Sequence, residues 1–193
     1  MEAFYQEEVR LTDMPYMRND ALLESLAKVG LWLESPHSTF GLMLSGNPGN
    51  GKTTVLKTMQ RIISLSGQKD PVNQDYYGGR SDAYLKIIKA YNIAELAKEE
   101  NSFRSIKKFG LLAIDDLGTE QLDIVSYGNV SSPIVDLLYE RYDNRLFTII
   151  STNLLNRSIR ERYGERMADR FNEMMTCVTF PDISFRRYAS KND

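Results

Sequence analysis

Residues 45–54 read SGNPGNGKTT and combine the residue types that hold phosphate. Gly46, Gly51, Lys52 and Thr53 fit the pattern G-x-x-x-x-G-K-[ST]. Glycines let the backbone curl so that successive N–H groups point at an anion, and the helix that follows adds its positive N-terminal end. We expect Lys52 to reach the β- and γ-phosphates of a nucleoside triphosphate and the Thr53 hydroxyl to bind Mg²⁺.

Nucleotide contacts are expected along the whole of this loop. The expected binding residues are Gly46, Asn47, Pro48, Gly49, Asn50, Gly51, Lys52, Thr53 and Thr54. The alternative is a glycine–proline turn ahead of a solvated lysine. The apolar run before the loop and the helical periodicity after it supply the strand–loop–helix context that phosphate binding needs, so they favour the first interpretation.

A pair of carboxylates follows a second apolar run, LLAIDD at 111–116. A phosphate-binding loop needs an acidic partner on a neighbouring strand to hold its metal ion. We therefore expect Asp115 to hold Mg²⁺ beside Thr53, and Asp116 to orient and polarise the attacking water. Glu120 is open to two interpretations, a surface charge or a secondary aid to that water.

Polar residues also end a third apolar run, in the segment STN at 151–153. The side-chain amide of Asn153 can hydrogen-bond the γ-phosphate or the water without binding the metal or repelling phosphate. The alternative role for Asn153 is to cap the next helix.

Three arginines lie in the segment RYGERMADRF, at Arg162, Arg166 and Arg170. Arg166 and Arg170 are four residues apart and share a helical face. Their spacing is compatible both with a solvated helix paired to nearby acids and with an arginine finger, which stabilises charge on a transferred phosphoryl group. Spacing alone does not decide between the two.

Strand and helix patterns alternate along the chain and place these residues. Apolar strand patterns lie at 40–46, 83–92, 109–118, 145–153 and 176–182. Helical patterns lie at 19–35, 52–65, 93–102, 131–144 and 156–175, the last broken near Gly164. Residues 1–18 are expected to be irregular and residues 67–82 to form a structureless loop. Nearly continuous apolar strands between helices predict an α/β fold with a parallel sheet covered on both faces.

The composition is that of an ordinary globular protein. The chain has 193 residues, 42% hydrophobic and 26% charged, with a formal net charge of −2, so any nucleic-acid site must be a local basic surface. No apolar run approaches a membrane span, and the acidic N-terminus lacks a signal-peptide core. Cys177 is the single cysteine and His37 the single histidine, which excludes an internal disulfide and a histidine–cysteine metal cluster. A cytoplasmic location is expected.

Four segments together resemble the AAA+ ATPases of the DnaC/IstB group, the bacterial helicase loaders and transposition-associated ATPases. These segments are GLMLSGNPGNGKTT, LLAIDDLGTE, TIISTNL and IRERYGERMADR, in that order, and the resemblance covers roughly residues 20–188. It implies a three-layer αβα P-loop NTPase core at 19–193 with a central parallel five-stranded sheet, after an irregular extension at 1–18. About 13 residues follow TCVTF, so we expect the helical lid of typical AAA+ proteins to be absent.

The same resemblance assigns roles to the motif residues, with ATP and Mg²⁺ as ligands. It implies that Gly46 to Thr53 is Walker A, that Asp115 and Asp116 are Walker B, and that Asn153 is sensor 1. An Asp-Asp pair, where many AAA+ proteins have Asp-Glu, predicts slow hydrolysis.

Assembly and partners also follow from the resemblance. It implies a homo-oligomeric ring or spiral with ATP between subunits, completed in trans by Arg170, with Arg166 as second candidate. It further implies binding of single-stranded DNA and of a replicative helicase or a transposase. Candidate DNA contacts are Lys86, Lys89, Arg104, Lys107, Lys108, Arg157 and the YYGGR segment at 76–80.

Three functions are compatible with these motifs. The first is a DnaC-like helicase loader, although about 20 residues before the first core helix are too few for the helicase-binding domain that loaders usually carry. The second is an IstB-like transposition ATPase. The third is an ATP-dependent binding switch with negligible turnover. A small-molecule kinase is disfavoured, because the sequence shows no substrate pocket pattern and no arginine-bearing lid.

Overall fold

The computed structural model describes residues 1–35, 39–74, 78–126 and 129–185. The strands are β1 (Gly41–Ser45), β2 (Lys69–Gln74), β3 (Arg80–Asp82), β4 (Lys86–Lys89), β5 (Leu111–Leu117), β6 (Ile124–Ser126), β7 (Asn129–Ser131), β8 (Phe147–Thr152) and β9 (Met175–Thr179). The helices are α1 (Glu2–Arg10), α2 (Asp20–Glu34), α3 (Lys52–Leu65), α4 (Ile93–Leu96), α5 (Glu100–Lys107), α6 (Pro133–Asp143), α7 (Asn156–Tyr163) and α8 (Glu165–Met174).

A five-stranded parallel sheet in the order β4-β5-β8-β1-β9 forms the centre of the fold. Its strands bury side chains on both faces, since successive residues of a strand point to opposite sides. In β1, Leu42 and Leu44 enter the core cluster that α1, α2 and α3 cover, while Met43 enters the cluster under α4 to α8. The predicted αβα architecture with a central parallel five-stranded sheet is therefore confirmed.

Helix boundaries follow local chemistry. Asn19 caps α2 by accepting a hydrogen bond from the Leu22 N–H at 3.1 Å. Pro133 occupies the first turn of α6, where its missing N–H costs no helical bond. Gly164 separates α7 from α8 with a φ of 85°, which confirms the predicted break.

The expectation of an irregular N-terminus was wrong for residues 2–10, which form α1. Met1, Tyr5 and Val9 recur every four residues and pack onto the core cluster beside α3, with Tyr5 buried. This stripe is narrow and lies among acidic and polar residues, so sequence periodicity does not reveal it. The division of the chain at residue 19 stays a prediction.

The expectation of a structureless loop at 67–82 was also wrong, because β2 and β3 pair there as an antiparallel hairpin. The buried Asp70 carboxylate accepts the N–H groups of Val72 and Asn73 at 2.8 and 2.9 Å, which fixes the bend in β2. Lys69 pairs with Asp82 across the strands at 2.5 Å. Polar strands of this kind carry no hydrophobic signal. Residues 75–77 of this segment lie outside the described residues.

A buried arginine closes the amino-terminal edge of the sheet. Arg141 of α6 donates to the carbonyls of Lys107, Phe109 and Phe147 at 3.3, 2.8 and 2.6 Å, and to the Thr148 hydroxyl at 2.8 Å. Burial lowers the pKa of Arg141 to about 9. The guanidinium therefore ties α6 to the chain that enters β5 and β8. Among the described helices, none is long and apolar enough to cross a membrane.

Candidate active site

The loop between β1 and α3 adopts a backbone that needs glycine at two contact points. Gly46 has a φ of 140°, and a Cβ there would lie 2.5 Å from the Asn50 side-chain nitrogen. Gly51 has a φ of 94°, and a Cβ there would collide with the phenolic oxygen of Tyr5. The backbone curls because both residues are free of side chains. A loop of this kind, followed directly by the N-terminus of α3, has the backbone form that anion binding requires.

Lys52 is buried at the centre of this loop. Its ammonium donates to the carbonyls of Gly46 and Asn47 at 2.6 and 2.9 Å. It also donates to the side-chain oxygens of Asn50 and Asn153 at 3.0 and 2.8 Å. Asn153 thus reaches the phosphate loop from the end of β8, and its amide acts here as an acceptor. These neutral oxygens satisfy the buried Lys52 ammonium, which could exchange them for the anionic oxygens of a phosphate.

Asp115 lies fully buried at the carboxyl end of β5, beside the loop. One of its oxygens accepts hydrogen bonds from the Thr53 hydroxyl at 3.1 Å and from the Ser151 hydroxyl. Ser151 also accepts the Asp116 N–H at 2.9 Å, so one hydroxyl orients both acids. Sequence reasoning missed Ser151; its signal is a hydroxyl two residues before Asn153.

A bulge in β5 directs the two aspartates to different places. The register with β8 shifts between Ile114 and Leu117, and Asp116 has a φ of 59°, which is rare for a residue other than glycine. Asp115 therefore turns into the protein, while the Asp116 side chain stays 37% exposed. Such local strain is characteristic of functional sites.

Lys89 stands at the end of β4, opposite Asp115 in the strand register. Its ammonium lies 2.6 Å from an Asp115 oxygen and 3.2 Å from an Asp116 oxygen. Burial lowers the pKa of Lys89, but the bonds and attraction of the two carboxylates outweigh it, so the pKa is raised and the lysine is charged. From the sequence, Lys89 is a candidate DNA contact. In the structure its side chain pairs with two acids within the candidate site.

The residues that fit a magnesium ion are Thr53 and Asp115. A hydroxyl and a carboxylate oxygen lie within hydrogen-bond distance of each other, and both are hard oxygen ligands of the type Mg²⁺ takes. In nucleotide sites of this kind the substrate phosphates complete the shell. Accordingly, no cluster of three or more histidine, cysteine or acidic ligands is found in the described part of the chain.

A cavity of about 340 Å³ opens beside the phosphate loop. Its far wall comes from α1 and the segment that follows it, with Tyr5, Val9 and residues 14–17 among the lining. Tyr5 packs edge-on against Tyr16, with ring centroids 6.4 Å apart, and its hydroxyl bonds to Thr54. Burial raises the pKa of Tyr5 to about 12. An aromatic and apolar wall next to a phosphate loop suits a nucleotide base.

The segment after β9 braces the other side of the loop. The Phe185 N–H donates to the Gly49 carbonyl at 2.9 Å, and Asn47 donates to Asp182 at 2.5 Å. Asn50 donates to the Pro181 carbonyl at 3.4 Å. The phosphate loop is therefore held between α1 and residues 180–185.

Arg170 and Arg166 lie away from this cluster, on α8. The Arg170 guanidinium stacks 4.2 and 4.5 Å from the ring centres of Tyr139 and Tyr142, and pairs with Asp143 at 3.4 Å. Only 19% of its side chain is exposed. Arg166 is exposed and has no ion pair within the described residues. Among the described residues, neither contacts the loop of its own chain, and their action in trans stays a prediction.

Arg162 and Glu120 form a separate buried contact that links the turn after β5 to α7. One Glu120 oxygen accepts Arg162 twice at 3.1 Å and the Tyr163 hydroxyl at 2.6 Å. The other accepts the Gly118 N–H at 2.8 Å. Burial, followed by Glu120, raises the pKa of Tyr163. The interpretation of Glu120 as a surface charge was therefore wrong, while a role toward the water stays a prediction.

The remaining DNA candidates are scattered over the surface. Lys86 lies 5.2 Å from the ring centre of Phe109, and Lys107 lies 5.3 Å from that of Phe103. Arg104 and Arg157 pair with Glu100 and Glu161 of their own helices at 3.2 and 2.8 Å, and Lys108 is exposed. Tyr76 and Tyr77 lie outside the described residues, and the DNA contacts stay predictions.

Comparison with known proteins finds solved structures that share this fold. No protein-family model and no curated protein matches the sequence. The crystal structure of the DnaC helicase loader is similar over 86% of this chain and 94% of its own, with a TM-score of 0.63 and 17% identity. DnaI is similar over 94% of this chain and 93% of its own, with a TM-score of 0.63 and 18% identity.

A third similar structure is the replication initiator DnaA bound to AMPPCP and single-stranded DNA. The likeness covers 91% of this chain and 51% of that one, with a TM-score of 0.56 and 15% identity. The resemblance to DnaC-like AAA+ ATPases seen in the motifs is thereby confirmed at the level of the fold.

Proposed function

We propose that this chain is a Mg²⁺-dependent ATPase that acts in the cytoplasm as a DnaC-like helicase loader in DNA replication. The observation that carries the proposal is the meeting of Lys52, Thr53, Asp115 and Asn153 at one edge of the sheet. These side chains come from three separate strand ends, on a fold that the DnaC helicase loader shares.

The residues of the site divide the work of ATP hydrolysis. The loop N–H groups and Lys52 bind the β- and γ-phosphates, with Lys52 exchanging neutral protein oxygens for anionic ones. Thr53 and Asp115 hold Mg²⁺, which neutralises charge on the phosphates when bound. Asp116, exposed and adjacent, orients and polarises the attacking water. Asn153 positions Lys52 and the γ-phosphate.

Assembly completes the site in this proposal. Arg170 stacks on two tyrosine rings, and 19% of its side chain stays exposed. A neighbouring subunit that presents its phosphates to α8 would draw Arg170 from Asp143, and the arginine would then stabilise charge in the transition state. ATP would order the ring or spiral, and hydrolysis would release it.

An ATP-dependent switch with negligible turnover is the second candidate, and one observation favours it. Asp116 is paired with Lys89, which reduces its capacity to polarise water. An IstB-like transposition ATPase would use the same site. It would differ from the loader in its partner, which would be a transposase and not a helicase.

The test combines turnover with partner binding. We expect Mg²⁺-dependent phosphate release by the wild type, stimulated by single-stranded DNA, and loss of both nucleotide binding and turnover in Lys52→Ala. Lys57→Ala, a lysine on the same helix, is the matched control and should leave both unchanged. Co-purification with the host's replicative helicase would support the helicase loader. Co-purification with a transposase would support the transposition ATPase. Normal ATP affinity without turnover in the presence of DNA and helicase would establish the switch instead.

A further inference from the structure

Lys89 occupies the position where the site gathers its negative charge. Asp115 and Asp116 are adjacent in sequence, and the Asp115 side chain is 0% exposed. The Lys89 ammonium contacts one oxygen of each, while its own side chain is 36% exposed. The contact comes from strand pairing, because the register of β4 and β5 sets Lys89 opposite Asp115.

Two neighbouring carboxylates place like charges close together, and one of them is buried away from water, so a positive group beside them is strongly favoured. Lys52 donates to two loop carbonyls and to two asparagine oxygens. Thr53 and Ser151 offer Asp115 neutral hydroxyls. Lys89 therefore supplies a full charge at the acids, from the solvent side.

We propose that Lys89 is a built-in counter-cation of the Asp115–Asp116 pair, which offsets their charge and makes the site compatible with phosphate before Mg²⁺ arrives. The inference rests on the proposed function and deepens it. With the charge of the two acids offset by Lys89, a nucleotide phosphate can enter without metal and meet little repulsion. Thr53 and Asp115 would hold Mg²⁺, and the Lys89 ammonium would then leave the acids toward solvent, where about a third of its side chain is already exposed.

The first test measures nucleotide affinity with and without the metal. The probe is ADP carrying a fluorescent methylanthraniloyl group, titrated in MgCl₂ or in EDTA. For the wild type we expect the two affinities to agree within about threefold. Lys89→Met keeps the length of the side chain and removes its charge. For this variant we expect nucleotide affinity in EDTA to fall by about tenfold or more, because the acids lose their nearby positive charge. Affinity should recover in MgCl₂, because the metal ion supplies a positive charge at the same place.

Lys86→Met is the matched control, the same substitution three residues earlier on β4, with its ammonium over Phe109 instead of the acids. Lys86→Met should show the same metal dependence of nucleotide affinity as the wild type. Lys89→Arg, which keeps the positive charge, should also show the wild-type metal dependence. Equal metal dependence in Lys89→Met, Lys86→Met and the wild type would overturn the proposal.

A second test uses Mg²⁺ alone and does not depend on nucleotide binding. We expect Lys89→Met to unfold at a lower temperature than the wild type in EDTA, and MgCl₂ to restore the loss, with no such gain for the wild type or Lys86→Met. If none of the proteins binds the probe, the proposed function fails while this measurement still decides the role of Lys89. A Lys89→Met protein that Mg²⁺ does not stabilise would refute it.

Discussion

Replacing Glu120 by glutamine should destabilise the turn that follows Asp115 and Asp116. The carboxylate is fully buried, and each of its oxygens accepts from a different side, Gly118 on one and Arg162 with Tyr163 on the other. Glutamine keeps the shape and turns one oxygen into an N–H₂ donor. Whichever way the amide lies, a donor then faces a donor.

The magnitude follows from which contact is lost. Facing the oxygen toward Arg162 and Tyr163 keeps three bonds and leaves the Gly118 N–H unpaired, which costs about 1–3 kcal/mol. Loss of the charge facing Arg162, whose side chain is 29% exposed, adds about 1 kcal/mol. We expect a loss of roughly 2–4 kcal/mol in the free energy of unfolding, or a Tm lower by about 4–16 °C in a chain of this size.

The assay is urea and thermal denaturation of the nucleotide-free protein in EDTA. Glu161→Gln is the control, the same substitution at an exposed glutamate whose partner is Arg157 of the same helix. It should stay within about 0.5 kcal/mol of the wild type. If Glu120→Gln is as stable as Glu161→Gln, the buried contact does not hold the turn and the reasoning is wrong.

Three further substitutions test other parts of the structure. Arg141→Met should cost about 3–5 kcal/mol in urea denaturation, because three carbonyls and a hydroxyl lose their donor; a loss below about 1 kcal/mol would contradict this. Ser151→Ala should lower kcat by about tenfold with nucleotide Kd unchanged, since it orients the acids without touching phosphate; an equal change in Kd would argue for a general loss of the site. Arg170→Ala should leave ATP affinity unchanged and lower turnover by roughly a thousandfold, and a wild-type rate per subunit independent of protein concentration would exclude action in trans.

The sequence predicts the frame of the site because its signals are local. A glycine loop between an apolar run and an amphipathic helix fixes Lys52 and Thr53 with little freedom. The carboxyl ends of parallel strands share one edge, so Asp115 and Asn153 must come near them. The structure brings these four side chains together, while their catalytic roles stay predictions.

The contacts that tune the site escaped prediction because they depend on register and packing. Lys89 faces the acids only through the pairing of β4 with β5, and a bulge decides where Asp116 points. From the sequence alone Glu120 resembles a surface residue, whereas in the structure α7 covers it. Each of these polar side chains has a partner between 26 and 43 residues away in the sequence, and no periodicity encodes such distances.

The position of α1 links the start of the chain to ligand release. Tyr5 both fills the core and forms a wall of the cavity beside Thr54, so the cavity is complete only while α1 is docked. A ligand that binds the docked state alone stabilises docking by RT ln(1 + [L]/Kd). Amide hydrogen exchange in α1 should therefore slow as nucleotide saturates the site, although the helix lies outside the phosphate loop. Transient opening of α1 is then one route by which the bound nucleotide leaves.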